Sequence, residues 1–494
     1  MREGGLDEAV LDTSVARVIS LATRGGPGAP VALDLQSHHR LARDAAARCA
    51  VLLKNEHQVL PLRPQPSATI AVIGEFARTP RFQGAGSSQV NPTRVDAALS
   101  ELQAGVPDGV TICFAAGFGL DGTDVDAGLT AEAISIAQDA DVVLAFLGLP
   151  ARAESEGFDR TEIDLPANQL DLLERLGELT ADLVVVLTNG SAVRTSTWEA
   201  HTAAILECWL PGQAGGGAIA DLLLGVVSPS GRLAETIPVR LTDNPASLNF
   251  PGEAGHVRYG EGVFVGYRGY DATEREVSYP FGHGLSYTSF EYRDLRLTNT
   301  GSAADGDLSV AVTFEVANVG GVPGSEVAQV YLGDPDAAVA RPPRELRAFQ
   351  KATVQPGESA QVTVHLTTRD FSYWSTQTQG WALEGGEFVI EVGASSRDIR
   401  LRESITVEAP GVAGPLTADS SLEEWLTDPA GGAALRSALA GSTGGTALEE
   451  PGLLDLVGNF PMSRLATMPN MALSREDLDA LLVSLDQPAA EERP

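Results

Sequence analysis

The sequence predicts a chain of mixed α/β plus all-β class: an open, mostly parallel α/β sandwich, then an all-β sandwich, then a helical tail. Three observations support this prediction. Short apolar runs alternate with helical patterns over residues 67–240, which is typical of a parallel sheet covered by helices. The apolar period changes to two over residues 291–408, which indicates a β-sandwich. After residue 409, two capping boxes mark the starts of helices.

Length and charge narrow the classes of function. The chain has 494 residues and a formal net charge of −32 at pH 7, and this length is enough for about three domains. A charge of this size and sign repels nucleic acid and anionic membranes, so neither is expected as a partner. No apolar run reaches the roughly 18 residues of a transmembrane helix. The first 20 residues lack the apolar core of a signal peptide, so we expect a cytoplasmic protein.

The cysteines predict no covalent framework. Cys49, Cys113 and Cys208 are few, odd in number and embedded in apolar sequence. We therefore expect buried free thiols, because the spacing fits neither a disulfide framework nor a metal site. No cofactor and no metal are expected.

The first 36 residues precede the predicted α/β domain. Residues 7–21 carry apolar side chains at helical spacing, which predicts an amphipathic helix with nothing nearby in the sequence to pack on. Residues 23–35 are rich in Gly and Pro and are typical of a linker. A second helix is predicted over 37–54, followed by a stop, and the α/β domain is assigned to 37–240.

The α/β domain is expected to contain a parallel sheet. Its strands are predicted at residues 69–74, 110–115, 141–147, 182–188 and 204–210. Helical patterns are predicted at residues 130–138, 166–178 and 216–225. Strands that alternate with helices in this way form parallel sheets with helices on their faces.

Four loops that follow these strands are glycine-rich or polar. They lie at residues 83–88, 154–160, 189–191 and 211–217. Because the carboxyl ends of parallel strands share one edge of a sheet, we expect the four loops to converge there, where open α/β sheets bind ligands. This convergence is a stronger indication of a site than any one loop.

The loop at 154–160 carries the candidate catalytic group, Glu156. The loop follows a short apolar run and precedes a helix that begins near Pro166. A carboxylate beside glycine and partly out of water can have its pKa raised far enough to act as a general acid near neutrality. The alternative is a solvated acidic turn in a protein that is rich in acidic turns.

Two other glycine-rich loops have alternative interpretations. The segment 212–217 follows a strand and opens a helix, but its spacing is G-x-x-G-G-G, and no acidic strand end follows where a dinucleotide fingerprint needs one. We favour glycines that allow a helix and a strand to pack closely. In the segment 84–88, Ser87 is a serine among glycines, which is typical of a turn former.

The rest of the chain is assigned to a connector (241–290), the β-sandwich (291–408) and a helical tail (409–494). In the connector, His283 has no paired carboxylate within sequence reach, so structural packing is favoured over a role as a catalytic base. The last helix of the tail is expected to dock on a neighbouring apolar surface. The alternative is a loosely attached tail.

Several strings, in order along residues 1–410, resemble family 3 of the glycoside hydrolases, the β-glucosidase and β-xylosidase group. The strings are Val51-Leu-Leu-Lys-Asn-Glu, Glu156-Gly-Phe-Asp-Arg, Trp209-Leu-Pro-Gly-Gln-Ala-Gly-Gly, Ser228-Pro-Ser-Gly-Arg-Leu-Ala-Glu-Thr-Ile-Pro and Tyr279-Pro-Phe-Gly-His-Gly-Leu-Ser-Tyr. The resemblance implies that the β-sandwich is fibronectin type III-like. It also implies that residues 1–36 hold the last helix of a (β/α) barrel, together with a linker, and that the rest of the barrel is absent from this sequence.

The resemblance further implies a retaining, exo-acting β-glycosidase. Its substrate would be a β-linked glucoside or xyloside, cleaved at the non-reducing end. Glu156 would be the general acid/base, and Ser87, Asp159 and Arg160 would bind substrate.

The family mechanism also needs a second carboxylate, a nucleophile that lies in the barrel. No segment of this sequence matches it, so we expect the chain to be inactive alone, with a separate barrel chain as a candidate partner. The alternative is a non-catalytic structural or carbohydrate-binding module derived from such an enzyme. Glu156, Asp159 and Arg160 favour the first hypothesis, and the missing barrel favours the second.

Overall fold

The computed structural model describes residues 7–25, 32–120, 122–180, 182–409, 415–448, 452–468 and 473–485. The chain forms two compact units. The first comprises the residues up to Asn244 together with Glu276–Ser289 and Gly321–Ser325, and the second comprises Pro245–Arg275, Phe290–Gly320 and the residues from Glu326 onward. Parts of the predicted linker at 23–35 and of the predicted tail lie outside the described residues.

The first unit contains six helices and eight strands within the described residues. The helices are α1 (Glu8–Arg24), α2 (Leu35–Cys49), α3 (Ala98–Gly105), α4 (Ala127–Gln138), α5 (Ala167–Leu179) and α6 (Gly215–Leu223). The strands are β1 (Val51–Asn55), β2 (Thr69–Ile73), β3 (Thr111–Ala115), β4 (Val142–Gly148), β5 (Leu183–Thr188), β6 (Ala204–Glu207), β7 (Ile237–Pro238) and β8 (Val277–Tyr279).

The main sheet of this unit has the strand order β1-β6-β5-β4-β2-β3. Strands β2 to β6 are parallel, as predicted. Val143 to Leu147 in β4 and Leu183 to Leu187 in β5 are almost completely buried, which explains why these strands read as continuous apolar runs. The predicted open α/β sandwich is confirmed.

The prediction of one helix over 37–54 was wrong at its carboxyl end. Helix α2 stops at Cys49, and Val51–Asn55 form the edge strand β1, antiparallel to β6. Val51, Leu52 and Leu53 are all buried. A short apolar run that follows an alanine-rich helix has no local signal for a strand, because the pairing that fixes it lies more than 150 residues away, at Glu207.

The amphipathic helix predicted at the amino end is α1. Its N-cap is Asp7, whose carboxylate accepts a hydrogen bond from the backbone N–H of Ala9. None of its residues is buried, and Val10 and Val18 are more than half exposed. The helix therefore packs no apolar face within the described residues.

The second unit contains a β-sandwich with two sheets, of order β13-β10-β9 and β12-β11-β16-β17, and a hairpin β14-β15. The strands are β9 (Phe290–Thr300), β10 (Ser309–Asn318), β11 (Gly324–Gly333), β12 (Glu345–Val354), β13 (Ser359–Thr367), β14 (Tyr373–Ser375), β15 (Gly380–Ala382), β16 (Gly386–Gly393) and β17 (Ile399–Val407). Two helices, α7 (Tyr267–Ala272) and α8 (Thr368–Phe371), belong to the same unit.

The sandwich core has the period that the sequence predicts. In β10, Val310, Val312, Phe314 and Val316 are buried and the intervening residues are partly exposed. Phe388, on the other sheet, is also buried in this core. The alternation of buried and exposed side chains confirms the all-β assignment.

The tail has an apolar core of its own. Its helices are α9 (Leu422–Thr427), α10 (Pro429–Ala438), α11 (Thr443–Leu448), α12 (Leu453–Val457), α13 (Met462–Leu465) and α14 (Arg475–Leu485). Trp425 and Leu478 are fully buried in the core. The capping boxes Ser421/Glu424 and Ser474/Asp477 form as predicted. The last helix thus packs within a helical cluster formed by the tail itself, and the alternative of a loosely attached tail stays a hypothesis.

The cysteines are free, as predicted, but not all are buried. Cys208 is buried, Cys113 is half-buried and Cys49 is exposed. Cys49 is the last residue of α2, where Ala46 and Ala47 face the core instead. Apolar neighbours in sequence do not place a helical residue on the buried face. No described helix has the length and apolar content needed to cross a membrane.

Candidate functional site

The strand order creates a crevice at one edge of the parallel sheet. From β2 the chain moves outward to β3 and then crosses back to β4 on the other side of β2. The loops that leave the carboxyl ends of β2 and β4 therefore run in opposite directions. A gap opens between them, and open α/β sheets bind ligands at such a switch point.

Ser87 and Glu156 meet at this switch point. Ser87 lies in a single 3₁₀ turn, Gly86–Ser88, in the connection that follows β2, and Glu156 lies in the loop that follows β4. The Ser87 backbone N–H donates to Glu156 Oε2 at 3.0 Å, and the Ser87 hydroxyl lies 2.7 Å from both carboxylate oxygens. The structure thus brings together two residues that are 69 positions apart in sequence.

The Glu156 carboxylate differs from the sequence-based expectation in its environment. We expected partial burial and a raised pKa. The residue is exposed, and the hydroxyl and the backbone N–H of Ser87 hold the pKa of Glu156 below its usual range. Hydrogen bonds donated to a carboxylate stabilise its ionised form, and here there is little burial to oppose them.

Gly86 is required for the Ser87–Glu156 contact. Its φ of +75° lies in the left-handed region, which glycine adopts without a steric penalty. A Cβ at this position would lie 2.9 Å from Glu156 Oε2. Any side chain here would therefore push the carboxylate away from Ser87.

Glu154 anchors the same loop to the sheet edge. Its carboxylate accepts hydrogen bonds from the Gly190 backbone N–H at 2.8 Å and from the Ser191 hydroxyl at 2.5 Å. Arg81 lies 3.6 Å from the same carboxylate and donates to the carbonyl of Leu149. Sequence reasoning expected Glu154 only to tune the pKa of Glu156 and assigned Arg81 no role, because the contacts of both involve residues distant in the chain.

Arg160 and Asp159 occupy different surroundings from Glu156. Arg160 Nη1 donates to the Ser191 hydroxyl at 2.8 Å and to the Ala192 carbonyl at 3.2 Å. Its Nε and Nη2 atoms are buried and have no hydrogen-bond partner among the described residues. Asp159 is exposed. Arg160 is therefore turned toward the loop at 189–191, and the substrate-binding roles of both residues stay predictions.

The fourth loop, at 211–217, joins the same edge. The Gly212 N–H donates to the Phe82 carbonyl at 2.8 Å, and the Gln213 carbonyl accepts from the Asp96 N–H at 2.9 Å. A Cβ on Gly216 would lie only 2.3 Å from the Asp96 carbonyl. This contact agrees with the close-packing interpretation of the glycines.

Glu207, at the end of β6, is a buried carboxyl group that sequence reasoning missed. It is 1% exposed, and burial raises the pKa of Glu207 to about 8. It accepts hydrogen bonds from the Trp209 N–H at 2.8 Å and from Asn189 Nδ2 at 2.9 Å. Trp209 has a φ of +57°, an uncommon conformation for a bulky residue, and Glu207 helps to hold it there.

His283 has the packing role that the sequence predicts. Its Nε2 lies 2.9 Å from the Leu53 carbonyl, and its ring stacks on Tyr279 with 5.1 Å between centroids. Among the described residues, no group of three or more His, Cys, Asp and Glu side chains is arranged to hold a metal ion.

Two domain families match this chain. Residues 50–287 match the glycosyl hydrolase family 3 C-terminal domain, and residues 326–396 match a fibronectin type III-like domain. These matches cover the α/β sheet with its site loops and most of the β-sandwich strands.

The chain is similar to longer proteins. It is 42% identical over 481 residues to the exo-alpha-(1->6)-L-arabinopyranosidase of Bifidobacterium longum, covering 95% of this chain and 62% of that protein. It is 41% identical over 489 residues to thermostable beta-glucosidase B of Acetivibrio thermocellus, covering 98% and 64%. The crystal structure of the Bifidobacterium adolescentis GH3 beta-glucosidase aligns with a TM-score of 0.79 and 44% identity, covering 87% of this chain and 63% of that one. The chain thus spans less than two thirds of the length of these relatives.

Replacement of Ser87 should change the titration of Glu156. In Ser87→Ala the hydroxyl donor is lost, so we expect the pKa of Glu156 to rise toward its usual range. Carboxyl carbon NMR of glutamate-labelled protein as a function of pH measures this shift. Ser88→Ala is the matched control, because the Ser88 hydroxyl donates to the Ala85 carbonyl instead. An unchanged Glu156 titration in Ser87→Ala would contradict the geometry.

Glu207 should make the free energy of unfolding depend on pH. Folding raises its pKa from 4.5 to about 8, so the folded chain binds a proton that the unfolded chain releases over this interval. The contribution to stability is full below pH 4.5 and is lost as pH rises to about 8, with a slope of up to about 1.4 kcal/mol per pH unit.

Chemical denaturation across this pH range tests the contribution of Glu207. Glu207→Gln should flatten the pH dependence relative to wild type. The control Glu178→Gln, at an exposed position on α5, should leave it unchanged. Identical slopes in wild type and Glu207→Gln would show that the buried group does not titrate as stated.

Proposed function

The chain belongs to glycosyl hydrolase family 3, and on that premise we propose that it supplies the general acid/base of a retaining, exo-acting β-glycosidase. Such an enzyme hydrolyses O-glycosidic bonds at the non-reducing ends of its substrates. One observation carries the proposal: Glu156 is held by Ser87 at the switch point of the parallel sheet. This edge is where a substrate would reach a carboxyl group of this chain.

The proposed chemistry assigns two successive proton transfers to Glu156. In the first, its carboxyl group gives a proton to the leaving glycosidic oxygen while a second carboxylate attacks the anomeric carbon. In the next, the Glu156 carboxylate takes a proton from the water that hydrolyses the glycosyl-enzyme. The two carboxyl groups must lie about 5–5.5 Å apart.

The ionised state of Glu156 explains why we propose that the chain does not act alone. A general acid must be protonated when substrate binds, whereas the Ser87 contacts hold the pKa of Glu156 below its usual range. An anionic nucleophile nearby and a sugar that excludes water would both raise this pKa. We propose that the nucleophile comes from a (β/α) barrel, either in a longer form of the polypeptide or in a separate barrel chain.

The proposed substrates are β-linked glucosides or xylosides. Two of the relatives described above are beta-glucosidases, from Acetivibrio thermocellus and Bifidobacterium adolescentis. The Bifidobacterium longum relative is an arabinopyranosidase, so an aryl α-L-arabinopyranoside belongs in the same substrate panel.

A second function has one observation in its favour. An exposed, ionised Glu156 accepts hydrogen bonds from sugar hydroxyls but has no proton to give. This state fits a non-catalytic structural or carbohydrate-binding module derived from such an enzyme. The two functions differ in whether any barrel restores turnover.

The first test concerns the leaving group. In the chain combined with a family 3 barrel, Glu156→Ala should slow glycosides with poor leaving groups by about 10²–10⁴-fold, because general acid catalysis contributes rates of this order. Glycosides with activated leaving groups need little protonation and should be slowed far less. Steady-state kinetics on an alkyl and a dinitrophenyl β-glucoside make the comparison.

The control for this test is Glu174→Ala, at an exposed glutamate on α5. It should leave both rates unchanged. Equal losses on the two substrates in Glu156→Ala would rule out the role as general acid.

The second test concerns the chain by itself. Purified chain should show no turnover of an aryl β-glucoside, an aryl β-xyloside or an aryl α-L-arabinopyranoside. Without a nucleophile and an oriented sugar, the reaction loses the covalent route and an orientation effect of roughly 7–11 kcal/mol. Turnover should appear when a separately expressed family 3 barrel is added. Turnover by the chain alone that Glu156→Gln abolishes would mean that a second carboxylate of this sequence acts as the nucleophile.

A further inference from the structure

The second compact unit contains a cavity of about 550 Å³. The hairpin β14-β15, the start of β12, the segment just before it and helix α7 contribute to its walls, and all belong to this unit. The volume lies within the roughly 300–1,000 Å³ that small-molecule sites occupy. Its lining combines aromatic rings with charged groups, as such sites do.

Two tryptophans form the aromatic part of the cavity. Trp374 and Trp381 are paired across the hairpin, with ring centroids 5.4 Å apart and ring planes at 70°. They are 49% and 50% exposed, whereas Trp198 and Trp425 elsewhere in the chain are buried. The Arg369 guanidinium covers one face of Trp381. An edge-to-face pair left half in water at the wall of a cavity is unusual for indole rings, which ordinarily gain from burial.

The charged part of the cavity centres on Glu345. Its carboxylate forms ion pairs with three arginines, with N···O distances of 2.7 Å to Arg347 Nη2, 3.0 Å to Arg341 Nη2 and 3.4 Å to Arg268 Nη2. Arg341 is also paired with the half-buried Asp334 at 2.9 Å. The shared carboxylate restrains all three guanidinium groups, so their remaining N–H donors hold fixed directions.

Arg347 has one donor without a partner. Its Nε atom is buried and makes no hydrogen bond within the part of the chain that the structure describes. An unpaired buried N–H is unfavourable until an acceptor arrives. Because no solvent reaches this atom, an acceptor contacts it only if the Arg347 side chain shifts.

These groups define the chemistry of the ligand. A pyranose ring has an apolar C–H face that packs on an indole ring, and its hydroxyls both accept hydrogen bonds from guanidinium groups and donate them to a carboxylate. Three carboxylates, Glu345, Asp334 and Asp370, interact with these arginines and balance their charge, and Glu345 itself lines the cavity. An anionic ligand would face this carboxylate, so a neutral ligand fits better.

We propose that the cavity lined by Trp374, Trp381 and Arg347 is a non-catalytic binding site for a neutral, β-linked oligosaccharide. The tryptophans bind the ring faces, and Arg347 with Glu345 binds the hydroxyls. This inference goes beyond the proposed glycosidase function and does not depend on Glu156. A second binding point for the same kind of chain raises the local concentration of saccharide at the protein.

The test uses the full chain carrying Glu156→Gln, so that binding at the switch point is altered while the cavity is intact. The probe is a β-linked gluco-tetrasaccharide. Saturation-transfer NMR reports the bound sugar, and tryptophan fluorescence reports the exposed indoles. We expect saturable binding in both measurements. Trp374→Ala and Arg347→Gln should each weaken it about tenfold, which corresponds to about 1.4 kcal/mol, and Trp374→Phe should recover part of the loss.

Phe349→Ala is the matched control, since Phe349 is an exposed aromatic residue of β12 that is not among the residues lining the cavity. It should bind as the parent does. Thermal unfolding identifies any variant that has lost its fold. The parent, the chain that carries only Glu156→Gln, tests for binding with the cavity unchanged. Absence of binding by the parent at millimolar sugar, or unchanged binding in folded Trp374→Ala, would overturn the proposal. Binding restricted to a glucuronate-containing saccharide would overturn the assignment of a neutral ligand.

The outcomes separate this inference from the proposed function. A chain that binds the tetrasaccharide through Trp374 but gains no turnover with any barrel keeps the cavity site and loses the glycosidase proposal. A chain that gains turnover but shows no binding in the cavity gives the opposite result.

Discussion

The constraint on which the site depends is the reversal of strand order at β2. Strand β3 lies on one side of β2 and β4 lies on the other. The connections that leave β2 and β4 therefore run in opposite directions along the sheet edge. The space left between them is the one place on this sheet edge where the loop carrying Ser87 and the loop carrying Glu156 approach from opposite sides. The short contacts of Glu156 are a consequence of strand order as much as of the loop sequences.

A polar network then fixes the loop that the topology has placed. Glu154 ties it to Gly190 and Ser191, and Arg160 contacts the same neighbouring loop. The network holds the backbone on both sides of Glu156 while its carboxylate stays exposed and ionised. A carboxyl group in this state is held in place but ionised, and its protonation near neutrality would need a nearby negative charge and the exclusion of water.

Sequence reasoning recovered what local patterns encode. Buried parallel strands such as β4 and β5 are continuous apolar runs, and the loops after β2 and β4 contain Ser87 and Glu156, to which the family resemblance gave roles. Strand β1 was missed because its partner β6 is distant in the chain, and Glu207 was missed because a single acidic residue after Ala-Ile-Leu resembles a strand end that meets solvent. The direction of the Glu156 pKa was wrong for a similar reason. Burial and hydrogen bonding act on a carboxyl group in opposite senses, and only the folded structure shows that Ser87 outweighs desolvation.

The glycine at position 86 limits how this site can vary in evolution. Its positive φ disfavours most side chains, and a methyl group here would displace the end of the Glu156 side chain. The two penalties are independent, so no single substitution at this position relieves both. Variation in this loop is therefore expected at Ser87 and Ser88, neither of which has a positive φ, and only a change at Ser87 alters the hydrogen bonding of the Glu156 carboxylate.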